Sequence, residues 1–104
     1  MAYFRTGMGN KGGIEITDNM FATIDQNSGT ASIPTSVGKK LLIVCENNNG
    51  SATFTFSGAT LVADALPLHH YGSYGSVRVM LVEATESTIS VTANARTTVS
   101  YAEV

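Results

Sequence analysis

Charge is scarce in this sequence: only 13% of its 104 residues are charged, about half the usual share for a soluble domain. The six basic residues are scattered, and only Lys39 and Lys40 are adjacent. Without a basic stripe there is no electrostatic footprint for nucleic acid, so we expect no nucleic-acid partner. A surface that is polar but poorly charged suits burial against neighbouring subunits, and we therefore expect an oligomer.

Cysteine and long apolar runs are scarce as well. Cys45 is the single cysteine, so no intrachain disulfide can form, and its place in an apolar strand pattern predicts a buried thiol rather than a nucleophile. No segment approaches the roughly 18 apolar residues of a membrane span. The first residues lack the basic start and apolar middle of a signal peptide. We expect a protein that is made in the cytoplasm and has no membrane partner.

Short alternating segments are what the chain does contain. Hydrophobic residues make up 43% of it, which favours a packed interior over disorder. They fall into about eight or nine strand-like segments, with turn signals roughly every 8–12 residues and no helical period of useful length. This pattern predicts an all-β fold, an antiparallel sandwich or barrel. Of the two we expect an antiparallel β-sandwich of jelly-roll type. We place one domain at residues 14–104, preceded by a glycine-rich arm at residues 1–13.

The stretch 38–56 carries the strongest local signal. Residues 41–45 form an unbroken apolar run, and Ala52, Phe54 and Phe56 then alternate with hydroxyl residues. Asn49-Gly50 lies between the two patterns, and an Asn-Gly pair there is a strong hairpin signal. The sequence therefore predicts that the two strands pair as the central hairpin of the domain.

Two segments, residues 41–45 and 77–84, are largely apolar on both of their sides, with Arg78 and Glu83 as the exceptions. A two-layer sandwich has one interior, so the residues on the second side need cover from loops or from another chain. Two sources of cover are open: the N-terminal segment together with the loop at 64–76, or a subunit interface.

The longest irregular stretch, residues 64–76, contains the candidate ligand-binding residues His69, His70, Tyr71 and Tyr74. Exposed aromatic rings in a loop can stack on a sugar or anchor a partner protein. The adjacent histidines also offer metal ligands together with Asp64, but no third ligand follows at a familiar spacing. Loop packing or a subunit contact is the plainer interpretation, and we expect no metal.

No catalytic signature stands out. Gly7, Gly9 and Gly12 match the dinucleotide fingerprint in spacing, but a strand-like segment follows where the motif needs a helix. A Ser-His-Asp site with Asp64 and His69 would lack the Gly-x-Ser-x-Gly elbow. We expect no enzymatic activity and no cofactor.

Several segments together resemble small β-sandwich virion proteins of tailed bacteriophages and prophages. The resemblance covers roughly residues 30–104 and consists of a hydroxyl-rich strand, a Gly-Lys hinge, an apolar strand, a Ser-Gly turn and a closing Val-Glu-Ala strand. The residues that carry it are 32–44, 56–61, 79–85 and 89–92.

This resemblance implies a structural role in a virion, as a capsid decoration protein, a head or collar fibre, or a tail module. It implies a homo-oligomer, with a trimer favoured, in contact with other virion proteins. The alternative is a carbohydrate- or receptor-binding module that uses the 64–76 loop, with a host glycan as its partner.

Overall fold

The computed structural model describes residues 21–24, 29–73 and 75–104. Within these residues there are two antiparallel sheets, one in the order β1-β8-β3-β6-β5 and one in the order β2-β7-β4. The predicted all-β class and β-sandwich architecture are confirmed. In this part of the chain no helix is long and apolar enough to cross a membrane. The strands are β1 (Phe21–Ile24), β2 (Gly29–Pro34), β3 (Lys40–Asn47), β4 (Phe54–Ser57), β5 (Ala59–His70), β6 (Ser76–Ala84), β7 (Thr88–Ala93) and β8 (Thr97–Glu103).

The strand pairs are nested as in a jelly roll. β1 pairs with β8, β2 with β7 and β3 with β6, all antiparallel, which is the pattern of one long hairpin rolled into two sheets. The innermost pair departs from this pattern, because β4 pairs with β7 and β5 pairs with β6. β4 and β5 therefore lie in different sheets, although a single residue separates them.

Gly58 is that residue, and it forms a sharp corner between the sheets. Its φ is +83°, a conformation that glycine adopts without the steric cost of a side chain. Its carbonyl oxygen accepts hydrogen bonds from the backbone N–H groups of Thr85 and Glu86. A Cβ at this position would meet the carbonyl oxygen of Thr88. The corner thus depends on both the backbone conformation and the small volume of glycine.

The core lies between the two sheets and consists of alternate residues of the strands. In β3, Leu41, Ile43 and Cys45 are fully buried, and Ile89 and Val91 of β7 are fully buried in the opposite sheet. Alternation of this kind places every second side chain on the same face. Each fully buried Leu, Ile or Val contributes about 1.5–3 kcal/mol relative to an exposed one.

The predicted central hairpin is wrong. β3 lies between β6 and β8 in the larger sheet, whereas β4 belongs to the smaller one. A two-residue type I′ turn needs positive φ at both central residues, and among the described residues only Gly38, Gly58 and Gly72 have positive φ.

Asparagine side chains instead shape the crossing between the sheets. The Oδ1 atom of Asn47 accepts from the Asn49 N–H at 2.8 Å, and the Oδ1 atom of Asn49 accepts from the Ser51 N–H at 2.9 Å. Such side-chain turns fold the backbone locally without pairing two strands. Ala52 and Phe54 then enter the core from the opposite side.

The predicted loop at 64–76 is also largely wrong. β5 continues to His70 and β6 begins at Ser76, so most of the stretch is strand. The pairing of β5 with β6 shifts in register at three points: between Leu61 and Ala63, between Asp64 and Leu66, and between Leu66 and His69. These irregularities break the period of two that marks a strand in a sequence. Pro67 is tolerated because β5 lies at the edge of the sheet.

The predicted strand at 77–84 is confirmed as part of β6, with Met80, Val82 and Ala84 buried. The glycine-rich arm at 1–13 lies outside the described residues.

Candidate functional site

The two outer surfaces of the sandwich differ in chemistry. The outward side chains of the smaller sheet are hydroxyl residues and one proline, and the Oγ1 atoms of Thr30 and Thr92 are 3.0 Å apart. This composition is typical of a sheet with one solvated face. The residues of this hydroxyl face are Thr30, Ser32, Pro34, Thr55, Ser57, Thr88, Ser90 and Thr92.

The outward side of the larger sheet is largely apolar along β3, β5 and β6, carries the hydroxyl residues Thr98 and Ser100 on β8, and is called the outer face. The register places Leu42 between Ala102 and Leu81, and Val44 between Ser100 and Val79. None of the apolar side chains on it is fully buried. Its apolar residues are Phe21, Leu42, Val44, Ala63, Leu66, Val77, Val79, Leu81 and Ala102.

β5 widens the outer face instead of covering it. Ala63 lies beside Leu81, and Leu66 lies beside Val79. Leu66 remains 37% exposed, and Phe21 on the opposite edge of the sheet is 57% exposed. Cover of the second side by a loop at 64–76 is therefore wrong, because that segment extends the sheet in its own plane. The N-terminal segment, the other part of the predicted cover, lies outside the described residues.

Charged residues lie at the two ends of the outer face. Lys40 and Glu83 are neighbours at one end, and Glu46 lies beside Val77 at the other. All three charged side chains are exposed. An apolar centre with a polar rim is the usual anatomy of a protein–protein interface.

The structure separates the two candidate histidines. Adjacent strand residues point to opposite sides, so His69 lies on the outer face beside Val77 and His70 lies on the inner side beside Ser76. The ring of His69 meets that of Tyr71 edge to face, with centroids 4.6 Å apart. Tyr71 is 52% exposed. Tyr74 lies outside the described residues.

His70 takes part in a structural chain of hydrogen bonds. Its Nδ1 atom is 2.7 Å from the Ser76 hydroxyl oxygen, which itself donates to the Asn49 carbonyl oxygen at 2.7 Å. A serine hydroxyl has one hydrogen, so with this donation the Nδ1–H of His70 is the donor to Ser76. The hydroxyl proton is held by a carbonyl oxygen, and His70 is not placed to remove it as a general base. This chain joins the end of β5 to the crossing after β3.

Asp64 also lies on the inner side, where it pairs with Arg78. The Nε atom of Arg78 donates to Oδ1 of Asp64 at 3.1 Å, and its Nη1 donates to the Phe54 carbonyl oxygen at 3.0 Å. The ion pair therefore joins β5 and β6 to β4. Because Asp64 and His69 lie on opposite sides of β5, the structure does not bring them together as metal ligands or as a catalytic pair. Among the described residues no group of three His, Cys, Asp or Glu side chains is placed to hold a metal ion.

Cys45 is fully buried, as its sequence context predicts. Burial raises the pKa of the Cys45 thiol from 9.0 to about 12, and the nearby Arg78 lowers it by less. The thiolate is the reactive form of cysteine. The thiol is therefore protonated and inert at neutral pH.

Sequence patterns found the outer face only in part. The two-sided apolar character of residues 41–45 and 77–84 gave its centre. Ala63 and Leu66 were missed because the register shifts of β5 hide its alternation.

Comparison with protein-family models, with curated proteins and with solved structures finds no match to this chain.

Proposed function

We propose that this protein is a non-enzymatic structural component of a bacteriophage virion that self-associates through its outer face. The observation that carries the proposal is the difference between the two exposed surfaces of the sandwich. One is lined by hydroxyl groups, as a solvated sheet is, and the other presents adjacent Leu and Val side chains from three strands. Contiguous exposed apolar patches mark interaction sites.

The energetics favour association through this face. Burial of apolar surface contributes about 25 cal/mol per Å², and a standard interface buries roughly 800 Å² on each partner. The apolar residues of the outer face are concentrated on β3, β6 and β5, with Phe21 of β1 and Ala102 of β8 beside them. Few charged groups interrupt this face, so little desolvation of charge opposes its burial.

The virion setting rests on the jelly-roll nesting of the strands, on the scarcity of charge and on the resemblance of residues 30–104 to phage structural proteins. Jelly rolls are a recurrent fold of viral capsid domains. The particle role is capsid decoration, a head or collar fibre, or a tail module, in contact with other virion proteins. The resemblance favours a trimer and a two-fold pair is the alternative state; the mass of the oligomer in solution distinguishes the two.

Size-exclusion chromatography with light scattering tests the self-association. The parent protein is expected to have the mass of an oligomer, and Val79→Asp, which places a charge at the centre of the outer face, is expected to be monomeric. Thr55→Asp makes a charged residue on the hydroxyl face and serves as the matched control, with the parent mass expected. A folded, soluble, monomeric parent protein would contradict the proposal. Locating the chain in a density map of an intact phage particle tests the virion role.

A second candidate function is a carbohydrate-binding module that recognises a host glycan. The exposed ring of Tyr71, held edge to face by His69, is the observation that favours it, since aromatic rings stack on sugars. A glycan array tests this function: binding is expected to be lost in Tyr71→Ala and retained in Tyr71→Phe. Absence of binding by the parent protein would remove the support.

A further inference from the structure

We propose that the outer face pairs two copies of this chain about a two-fold axis that lies between their sheets and runs across the strands. In this arrangement Lys40 of one copy meets Glu46 of the partner subunit, and the reverse contact forms at the other end. The inference rests on the self-association proposed above and adds its partner, its direction and its charged contacts.

The outward residues of β3 form a pattern that is complementary to itself when reversed. Lys40, Leu42, Val44 and Glu46 occupy every second position, so a cation, two apolar residues and an anion follow one another along the strand. At about 3.3 Å per residue the two charges lie roughly 20 Å apart. When a second β3 lies over the first in the opposite direction, each charge meets its opposite and Leu42 lies over the partner's Val44.

A parallel arrangement of the two copies would place lysine over lysine and glutamate over glutamate. Like charges that face each other across an interface cost several kcal/mol. The charge order of β3 therefore selects the antiparallel arrangement. Self-complementarity of one patch is also the condition for a closed two-fold interface.

The neighbouring strand β6 fits the same reversal. Its outward residues are Val77, Val79, Leu81 and Glu83. After reversal Leu81 lies over the partner's Val79. Glu83 lies over the partner's Val77, which has His69 of the partner subunit beside it on β5. A ring N–H of that histidine can donate to the Glu83 carboxylate.

The distances suit the proposed contacts. Packed sheets lie about 10 Å apart and cross at about 30°, so residues roughly 10 Å from the centre shift sideways by only about 5 Å. Extended Lys and Glu side chains, both exposed here, bridge such a gap. The apolar centre supplies most of the affinity, and the charges at the ends set direction and partner.

Exchange of the two charges tests the arrangement. Lys40→Glu places like charges at both ends of the pair, beside Glu83 of the same copy, so it is expected to dissociate at least about tenfold more readily than the parent protein. Glu46→Lys also places like charges at both ends, but the introduced cation lies near Glu83 of the other copy, so its loss of affinity is expected to be smaller. An equimolar mixture of the two variants is expected to pair one copy of each, because every charge then faces its opposite. The double variant, Lys40→Glu with Glu46→Lys, is expected to pair with itself. Analytical ultracentrifugation and native mass spectrometry measure these outcomes.

The mixture controls for effects within one chain. Lys40→Glu also loses the neighbouring Glu83 as an opposite charge, but that loss is the same whether or not the second variant is added. Recovery on mixing therefore reports the contact between copies. Glu86→Lys makes the same charge change as Glu46→Lys in the exposed turn after β6, away from the outer face, and is expected to pair as the parent protein does.

The possible failures are distinguishable. A monomeric parent protein overturns both this inference and the proposed self-association. A parent oligomer whose dissociation is unchanged by either single variant overturns the two-fold arrangement alone, as does a trimer. Failure of the mixture to form mixed pairs, when both variants are folded by circular dichroism, also overturns it.

Discussion

At the scale of single residues, Cys45 shows how burial controls chemistry in this fold. The thiol is enclosed by the core of the sandwich, and its pKa rises from 9.0 to about 12 because the charged thiolate would lose its contact with water. The folded protein therefore keeps the thiol proton at pH values where the unfolded chain releases it.

This difference predicts a loss of stability in alkali. Above pH 9 the unfolded chain releases the Cys45 proton while the folded protein keeps it. This release stabilises the unfolded state, so the free energy of unfolding falls as pH rises towards 12. By pH 10 the loss from this group is about 1 kcal/mol. Urea unfolding at pH 7, 9 and 10 measures it by comparison with Cys45→Ala, which lacks the thiol. The same pH dependence in both proteins would show that Cys45 makes no such contribution.

The strand conformation of β5 separates the side chains of His69 and His70, although the two residues are adjacent in the sequence. As neighbours in a loop they could face one ligand together, but in a strand they point to opposite sides. The sequence grouped His69 and Tyr71 with His70 and Tyr74 as candidate ligand-binding residues, and the structure places the ring centroids of His69 and Tyr71 4.6 Å apart. It could not show that His70 donates to Ser76 and Ser76 to the Asn49 carbonyl oxygen, because these bonds need the end of β5 and the segment after β3 to meet in space.

At the scale of elements, the corner between β4 and β5 decides which sheet each strand joins. Gly58 has the left-handed φ of +83°, and Gly38 has a similar φ of +91°. The two differ in their surroundings: a Cβ at Gly58 would meet the Thr88 carbonyl oxygen, whereas a Cβ at Gly38 would have nothing within 4 Å. The pair therefore separates conformational strain from steric contact.

Alanine substitution at these two glycines is expected to give unequal losses of stability. Gly38→Ala carries only the left-handed strain, about 1 kcal/mol. Gly58→Ala adds a backbone clash, so we expect a loss of about 3 kcal/mol or more, up to failure to fold. Thermal and urea unfolding of both variants measure the difference. Equal losses would mean that the backbone at the corner shifts to relieve the contact with the Thr88 carbonyl oxygen at no cost in stability.

Strand patterns identified most elements but not all of their partners. The alternation of Ala52, Phe54 and Phe56 marks the inward side of β4, because burial on one face imposes a period of two on the sequence itself. In β6 both sides are largely apolar, so its sequence does not distinguish the inward side from the outward one. The pairing of β4 with β7 depends on contacts between residues far apart in the chain, which a local pattern does not show. Asn49-Gly50 favours a hairpin locally, yet Phe54 is buried from the opposite sheet, and long-range packing overrides the local signal. The sequence predicts an irregular stretch where β5 continues to His70, because the register shifts of β5 remove the period of two that marks a strand.

At the scale of the whole molecule, the self-association proposed for the outer face predicts that the stability of one copy depends on the concentration of the others. A protein whose folded state associates is stabilised by mass action, because the unfolded chain has no such face to bury. The melting temperature of an associating protein therefore depends on its concentration.

Scanning calorimetry across a hundredfold range of concentration tests this link. We expect the melting temperature of the parent protein to rise by about 3 °C for each tenfold increase, given the small size of the domain. Val79→Asp, which charges the outer face, is expected to melt at a temperature independent of concentration. A constant melting temperature in the parent protein would contradict self-association in this range.

The edges of both sheets, in the part of the chain that the structure describes, are poor templates for further strands. β5 has three shifts of register and Pro67, β1 and β4 have four residues each, and β2 ends at Pro34. Short, bulged or proline-containing borders discourage the sideways addition of chains that builds amyloid fibres. Copies that associate through the outer face are therefore not expected to extend their sheets edge to edge into fibrils. Assemblies formed through the outer face are therefore expected to stay finite in size, even at high protein concentration.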